Sequence, residues 1–177
     1  MTYDPNNVLA LAMANDELDK FLVGEPFYFL ETKDENDEPQ NVPVAFKLLI
    51  LPYWREIGDP DFPEQFVQAL LKMLRTYPDR NRAIYMAQRW LLCYRYFLSE
   101  KHSEPTGLYA GLFEIDMSPV ATELKAQMEA NKTELMADTR WAGEPSSSQN
   151  GLWDPMVRTA LRILHQFGGP DQVPSNI

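Results

Sequence analysis

The sequence predicts a mainly α fold: a compact, single-domain helical bundle around a central antiparallel helix pair at about 62–77 and 80–99. Three observations predict it. Apolar residues recur at helical spacing through the middle of the chain. At Pro5, Pro119 and Pro155 a proline follows Asp or Ser, the pattern of a helix cap and first turn. Hydrophobic residues make up 45% of the 177 residues and aromatics 12%, more than a disordered chain carries and enough for one core. Residues 1–177 therefore read as one globular domain.

Taken in order, Asp4-Pro5 opens a helix in which Val8, Leu9, Ala12 and Met13 share a face. Leu18, Phe21 and Leu22 repeat that spacing before Gly24 and Pro26 stop it. Asn15-Asp16 between them is either a break or a polar turn of one longer helix. Two aromatic or β-branched runs follow, Phe27–Leu30 and Val42–Phe46, around a polar, acidic stretch. They suggest a small β-hairpin at 27–46. The connection looks long for a hairpin, Pro43 confines its strand to an edge, and a helix from about Asn41 to Pro52 competes.

The middle carries the clearest pattern. Asp61, Pro63 and Glu64 resemble a capping box, and Phe66, Val67, Leu70, Leu71 and Leu74 form an apolar stripe ended by Tyr77-Pro78. Asp79 caps the next helix. Ala83, Ile84, Ala87, Trp90, Leu91, Tyr94, Phe97 and Leu98 fall on one arc of it, with Arg82 and Arg89 opposite. So short a connection implies antiparallel packing. Residues 102–117 read as an irregular, partly buried connection. Ser118-Pro119 opens a helix with Val120, Ala121, Leu124 and Met128 inward. A turn-rich stretch at about 143–152 reads as a flexible loop. Asp154-Pro155 opens a last helix, with Met156, Val157, Ala160, Leu161 and Leu164 inward, and a short tail spans 170–177.

The formal charge of −10 is segmental: −8 over 1–60, +3 over 61–101 and −5 over 102–177. Two readings follow. The basic centre is neutralised by its own acidic flanks, or the acidic N-terminal third draws a cationic partner. Nucleic acid and anionic membrane are both disfavoured as ligands, since each needs a positive footprint. No apolar run approaches the ~20 residues of a spanning helix. The start, MTYDPNN, has neither the basic nor the apolar region of a signal peptide. With one unpaired cysteine, these features point to a cytoplasmic protein.

Catalytic chemistry is scarce. His102, His165 and Cys93 are the only imidazoles and the only thiol, too few for a structural zinc site. Asp34-Glu35-Asn36-Asp37-Glu38 begins like a calcium loop, but Pro39 and Ala45 stand where glycine and a bidentate Glu are required. No phosphate-binding glycine motif is present, so no metal and no cofactor is expected. Cys93 sits at the edge of its helix's apolar arc, where a thiol is usually an inert small hydrophobe. A dyad with His102 would need the chain to fold back. His165, near the end of the last helix, suits the negative pole of the helix dipole.

One arrangement remains, the stripe Arg82, Tyr85, Arg89 and Tyr96. It is either an anion pocket or a set of internal partners for the protein's own acids.

With no catalytic constellation, the sequence favours a non-enzymatic acidic protein that binds another, basic protein. The first reading is an immunity-type inhibitor that neutralises a basic toxin or effector. Its interface would be Glu31, Asp34, Glu35, Asp37 and Glu38 for steering, with Phe27, Tyr28, Tyr53 or Trp54 as buried-on-binding anchors. The likeness to small acidic bacterial immunity proteins is one of size, charge and missing chemistry, and it transfers no residue. The alternatives are an effector chaperone or adaptor that holds an apolar partner segment, and a small hydrolase using carboxylates or Cys93. A DNA mimic fits less well, because the acids cluster in loops and caps instead of along helices.

Overall fold

The computed structural model describes residues 5–24, 29–33, 35–43, 46–99, 110–138 and positions 160, 163, 166 and 167. The loop expected at 143–152, the tail 170–177, both histidines, Asp34, Phe27 and Tyr28 lie outside the described residues. The architecture is mainly helical. Among the described residues, no helix is long and apolar enough to cross a membrane.

Pro5 begins α1 (Pro5–Ala14), where its missing N–H leaves no hydrogen bond unmade. The chain then breaks at Asn15-Asp16, with Asp16 in the left-handed region at φ 56°. The polar pair is thus a true turn, and α2 (Leu18–Gly24) starts a new axis. Leu9, Leu18, Phe21, Leu22 and Val23 are all buried.

The hairpin is present and shorter in its connection than the apolar runs imply. Strands β1 (Phe29–Lys33) and β2 (Pro39–Pro43) pair antiparallel, from Phe29 opposite Pro43 to Lys33 opposite Pro39. Polar Glu31 and Asn41 pair within the ladder, so only 34–38 is left to turn. A two-stranded ribbon has two edges, which is why prolines at both ends of β2 are tolerated. Asp37 takes the left-handed conformation at φ 63°, a role for which Asp and Asn are suited.

The helix expected to compete over about 41–52 does not start at Asn41, which is in β2; helical structure begins at Phe46 and runs beyond Pro52. A π-helical turn (Phe46–Ile50) runs into α3 (Leu51–Ile57). Pro52 has no N–H to give to the carbonyl of Leu48, and wider winding relieves the clash of its ring there. Gly58 closes α3 at φ 62°, where any other L-residue except Asn or Asp would be strained.

The central pair is α4 (Phe62–Thr76) and α5 (Arg80–Ser99), joined by 77–79. Phe66 and Trp90, equidistant in sequence from Pro78, meet at 5.9 Å between ring centroids, as antiparallel packing requires. Asp79 caps α5 by accepting from the Arg82 N–H at 3.2 Å. The capping box expected at α4 is not made. Asp61 has helical φ and ψ and no side-chain cap bond, so its carboxylate is misplaced for that role. Asp59 accepts from the Asp61 N–H at 2.9 Å instead. After α6 (Ala110–Phe113), α7 (Ser118–Ala130) buries Val120, Ala121, Leu124 and Met128, and α8 (Lys132–Ala137) follows. Ala160 and Ile163 are buried, and Phe167 stacks on Tyr94 at 5.9 Å; the other inward positions expected near the C-terminus lie outside the described residues.

Helix α5 is the centre of the packing. It touches α2, α4, α7, the π turn and β2, so it is buried on more sides than one apolar arc implies. Met86, Gln88 and Cys93 are buried alongside the expected residues. Phe46 is the hub of an aromatic cluster, 6.0 Å from Phe66, 5.2 Å from Tyr94 and 4.9 Å from Phe97. Such tilted and edge-on contacts each contribute about 0.5–1.5 kcal/mol beyond burial. The basic centre is met by acid from both flanks: Lys72 pairs with Asp19 and Arg75 with Glu123, each at 3.6 Å. Two cations of the basic centre are thus paired with acids of its flanks.

Candidate partner-binding surface

The acidic segment proposed for steering sits at the tip of the hairpin. Glu35, Asp37 and Glu38 are exposed. Lys33 reaches Asp37 at 3.4 Å, but both side chains remain largely in water, so the pair screens little of the local charge. Glu31 lies within β1, opposite Asn41.

Tyr53 and Trp54 do not belong to that surface. They are 3% and 8% exposed and face inward from α3. Tyr53 lies 5.2 Å and Trp54 6.5 Å from the ring of Phe62. Gly111 completes the Trp54 pocket: a Cβ there would come within 3.2 Å of the indole. Burial raises the pKa of the Tyr53 phenol, and the negative charge of Asp59 adds to the shift. Both side chains are core, because Leu49, Ile50, Tyr53 and Trp54 form one helical stripe. They are withdrawn as anchors.

The Arg/Tyr stripe is only partly assembled. All four residues are half-buried. Arg82 donates from Nε to the carbonyl of Val23 at 3.0 Å. Trp90 donates from Nε1 to the neighbouring Leu22 carbonyl at 2.8 Å. Together they satisfy the C-terminal carbonyls of α2, which any helix end leaves without partners. Arg89 lies over the Tyr85 ring at 4.8 Å, a cation–π contact. Tyr96 offers its carbonyl to the Ser99 hydroxyl at 2.8 Å. Through its Nε, Arg82 thus ties α5 to the end of α2.

Arg80, which sequence reasoning did not single out, works similarly. It donates to the carbonyls of Tyr77 and Leu74 at the end of α4, and to Gln127 Oε1 of α7 at 2.9 Å.

No protein-family model, curated protein or solved structure matches the chain.

Other reactive groups among the described residues are buried or hydrogen-bonded within the fold. Cys93 is 1% exposed. Tyr94 is fully buried, with its hydroxyl donating to the Leu112 carbonyl at 2.5 Å. Burial pushes its pKa well above the ordinary value, and a backbone hydrogen bond from Ile115 offsets part of that. Asp116 is held below the usual carboxylate range by hydrogen bonds from the Ser118 hydroxyl and N–H, which open α7. Among the described residues, no three His, Cys, Asp or Glu side chains are grouped to hold a metal.

A surface cleft was not anticipated. It lies between the α1–α2 turn and the flank of α4, with a volume of about 220 Å³. The signal was faint: Asp16 and Asp19 on one side, Gln68 and Lys72 on the other, acquire meaning only once α2 lies on α4.

Proposed function

We propose that the chain is a non-enzymatic, acidic protein-binding protein. In this reading it is an immunity-type inhibitor that neutralises a basic toxin or effector by direct contact in the bacterial cytoplasm. The observation that carries the reading is the exposure of Glu35, Asp37 and Glu38 on a hairpin tip, in a chain of net charge −10. Protruding like charges raise the encounter rate with a cation and repel anions. Nucleic acid and anionic membrane are accordingly not the expected ligands. The burial of the single thiol also favours binding over nucleophilic catalysis.

Tagged purification from the native host should retain one basic protein in a stoichiometric complex. Association with it should slow as salt rises. A variant carrying Glu35→Lys, Asp37→Asn and Glu38→Lys should associate about tenfold more slowly at low salt, in line with electrostatic steering. An unaltered on-rate would remove the hairpin tip from the interface.

A second reading, an effector chaperone that holds an apolar segment, is favoured by one observation. Leu11, Leu48 and Ile57 are 63%, 47% and 51% exposed. They sit on α1, the π turn and α3, elements that contact one another. Such a complex would be insensitive to salt, which separates the two readings in the same experiment.

A further inference from the structure

The cleft beside α4 has an apolar wall of Met13, Leu18 and Ala69. Its volume, about 220 Å³, falls below the ~300–1,000 Å³ of small-molecule and cofactor sites. It is the size of one large side chain. The polar groups around it belong to Asp16, Asp19, Gln65, Gln68 and Lys72. Lys72, its cation, is held by Asp19 at 3.6 Å. Gln68 donates one amide N–H to Glu64 Oε1 at 2.9 Å, and the amides of Gln68 and Gln65 each carry an acceptor and two donors. Asp16, an exposed residue of the α1–α2 turn, lines the cleft as well. Two carboxylates, Asp16 and Asp19, against the one ammonium of Lys72 leave the cleft a formal charge of −1.

We infer that this cleft receives an arginine side chain of the protein partner. The inference rests on the proposed function for the basic character of that partner, though not for the chemistry of the cleft. The charge of the cleft and its apolar wall favour a guest that brings positive charge and an apolar stem together. Arginine supplies five N–H donors and no acceptor. Its methylenes suit the wall of Met13, Leu18 and Ala69. Its planar guanidinium forks onto a carboxylate and is less strongly hydrated than an ammonium, so it loses less on leaving water. Lysine brings a compact, strongly hydrated charge to acceptors that are spread out. An acidic side chain would meet like charge.

Titrating the purified chain with N-acetyl-arginine amide, followed by backbone amide NMR, tests this without the partner. Saturable shifts are expected at 13–19 and 68–72, with a dissociation constant on the order of 1 mM. The uncharged isostere N-acetyl-citrulline amide should bind about tenfold more weakly or not at all. Asp16→Asn should weaken arginine binding, and Ala69→Met, which fills the cleft, should abolish it. Amide spectra of both variants, unchanged away from the cleft, would show that they are folded. Equal binding of citrulline and arginine, no saturable shift, or binding indifferent to both substitutions would overturn the inference. Arginine binding combined with an unaltered on-rate in the hairpin variant would remove the hairpin tip from the interface and leave the cleft. No arginine binding combined with a slowed on-rate would do the reverse.

Discussion

Along α5, most residues from Ala83 to Phe97 are buried, and the helix packs against α2, α4, α7, the π turn and β2. Along the hairpin, the side chains of Lys33, Glu35, Asn36, Asp37 and Glu38 all lie in solvent. Both regions satisfy their backbones, one within a helix and one across a ladder. They differ in what a side chain is for. In α5 three polar side chains serve the fold: Arg82 and Trp90 bond to the end of α2, and Tyr94 holds the carbonyl of Leu112. In the hairpin, the backbone pairing is indifferent to which charges its tip displays. Substitutions should therefore be costly in the first region and nearly neutral to stability in the second.

The largest loss is expected from Trp90→Ala. It empties a fully buried site against Phe66 and leaves the Leu22 carbonyl without its donor. Aromatic truncations of this kind cost about 3–5 kcal/mol, measurable by denaturant unfolding. A loss under about 1 kcal/mol would mean that α5 is not the centre of the core.

Tyr94→Phe comes next. It keeps the ring stacked and deletes one hydroxyl, leaving a buried acceptor unsatisfied at about 1–3 kcal/mol. The pH dependence gives a second readout. The folded-state pKa of Tyr94 is raised above the ordinary 10.0, so its contribution is complete below that pH. It is lost as pH rises from there toward the folded value, because only the unfolded chain ionises freely. The stability gap between wild type and Tyr94→Phe should therefore narrow above about pH 10. A gap that stays constant or widens would contradict a buried, protonated phenol. Tyr53 shifts in the same direction in both proteins and cancels from the difference.

The same contrast explains what could be read from the chain. The pair α4–α5 was legible because its stripe, its Asp79 cap and its proline turn all point to one arrangement. Tyr53 and Trp54 were misread as surface anchors although Leu49 and Ile50, four residues earlier, supply the matching stripe. The competing strand interpretation of 42–46 hid that periodicity. The hairpin's length was misjudged because a two-stranded ribbon accepts polar residues such as Glu31 and Asn41, so apolar runs do not mark its limits. The commitment of Arg82 to Val23 and the cleft at Asp16 depend on residues far apart in sequence. Local pattern carries no record of such meetings.

The smallest stability effect should come from the variant with the largest effect on association. In Glu35→Lys, Asp37→Asn, Glu38→Lys the tip changes from three negative charges to two positive ones. Asp37 is replaced by Asn and not Lys because its φ of 63° would strain most other side chains, and that strain would be mistaken for an electrostatic term. The exposed Lys33–Asp37 pair is lost, but a pair so solvated contributes about 0–1 kcal/mol. Fewer like charges now crowd the turn, which acts in the opposite sense. Unfolding stability should therefore stay within about 0.5 kcal/mol of wild type, as for surface sites generally. A loss above about 2 kcal/mol would show that these carboxylates hold the hairpin to the body of the protein. The tip would then belong with α5, as structure, and its charge would no longer be available to a partner.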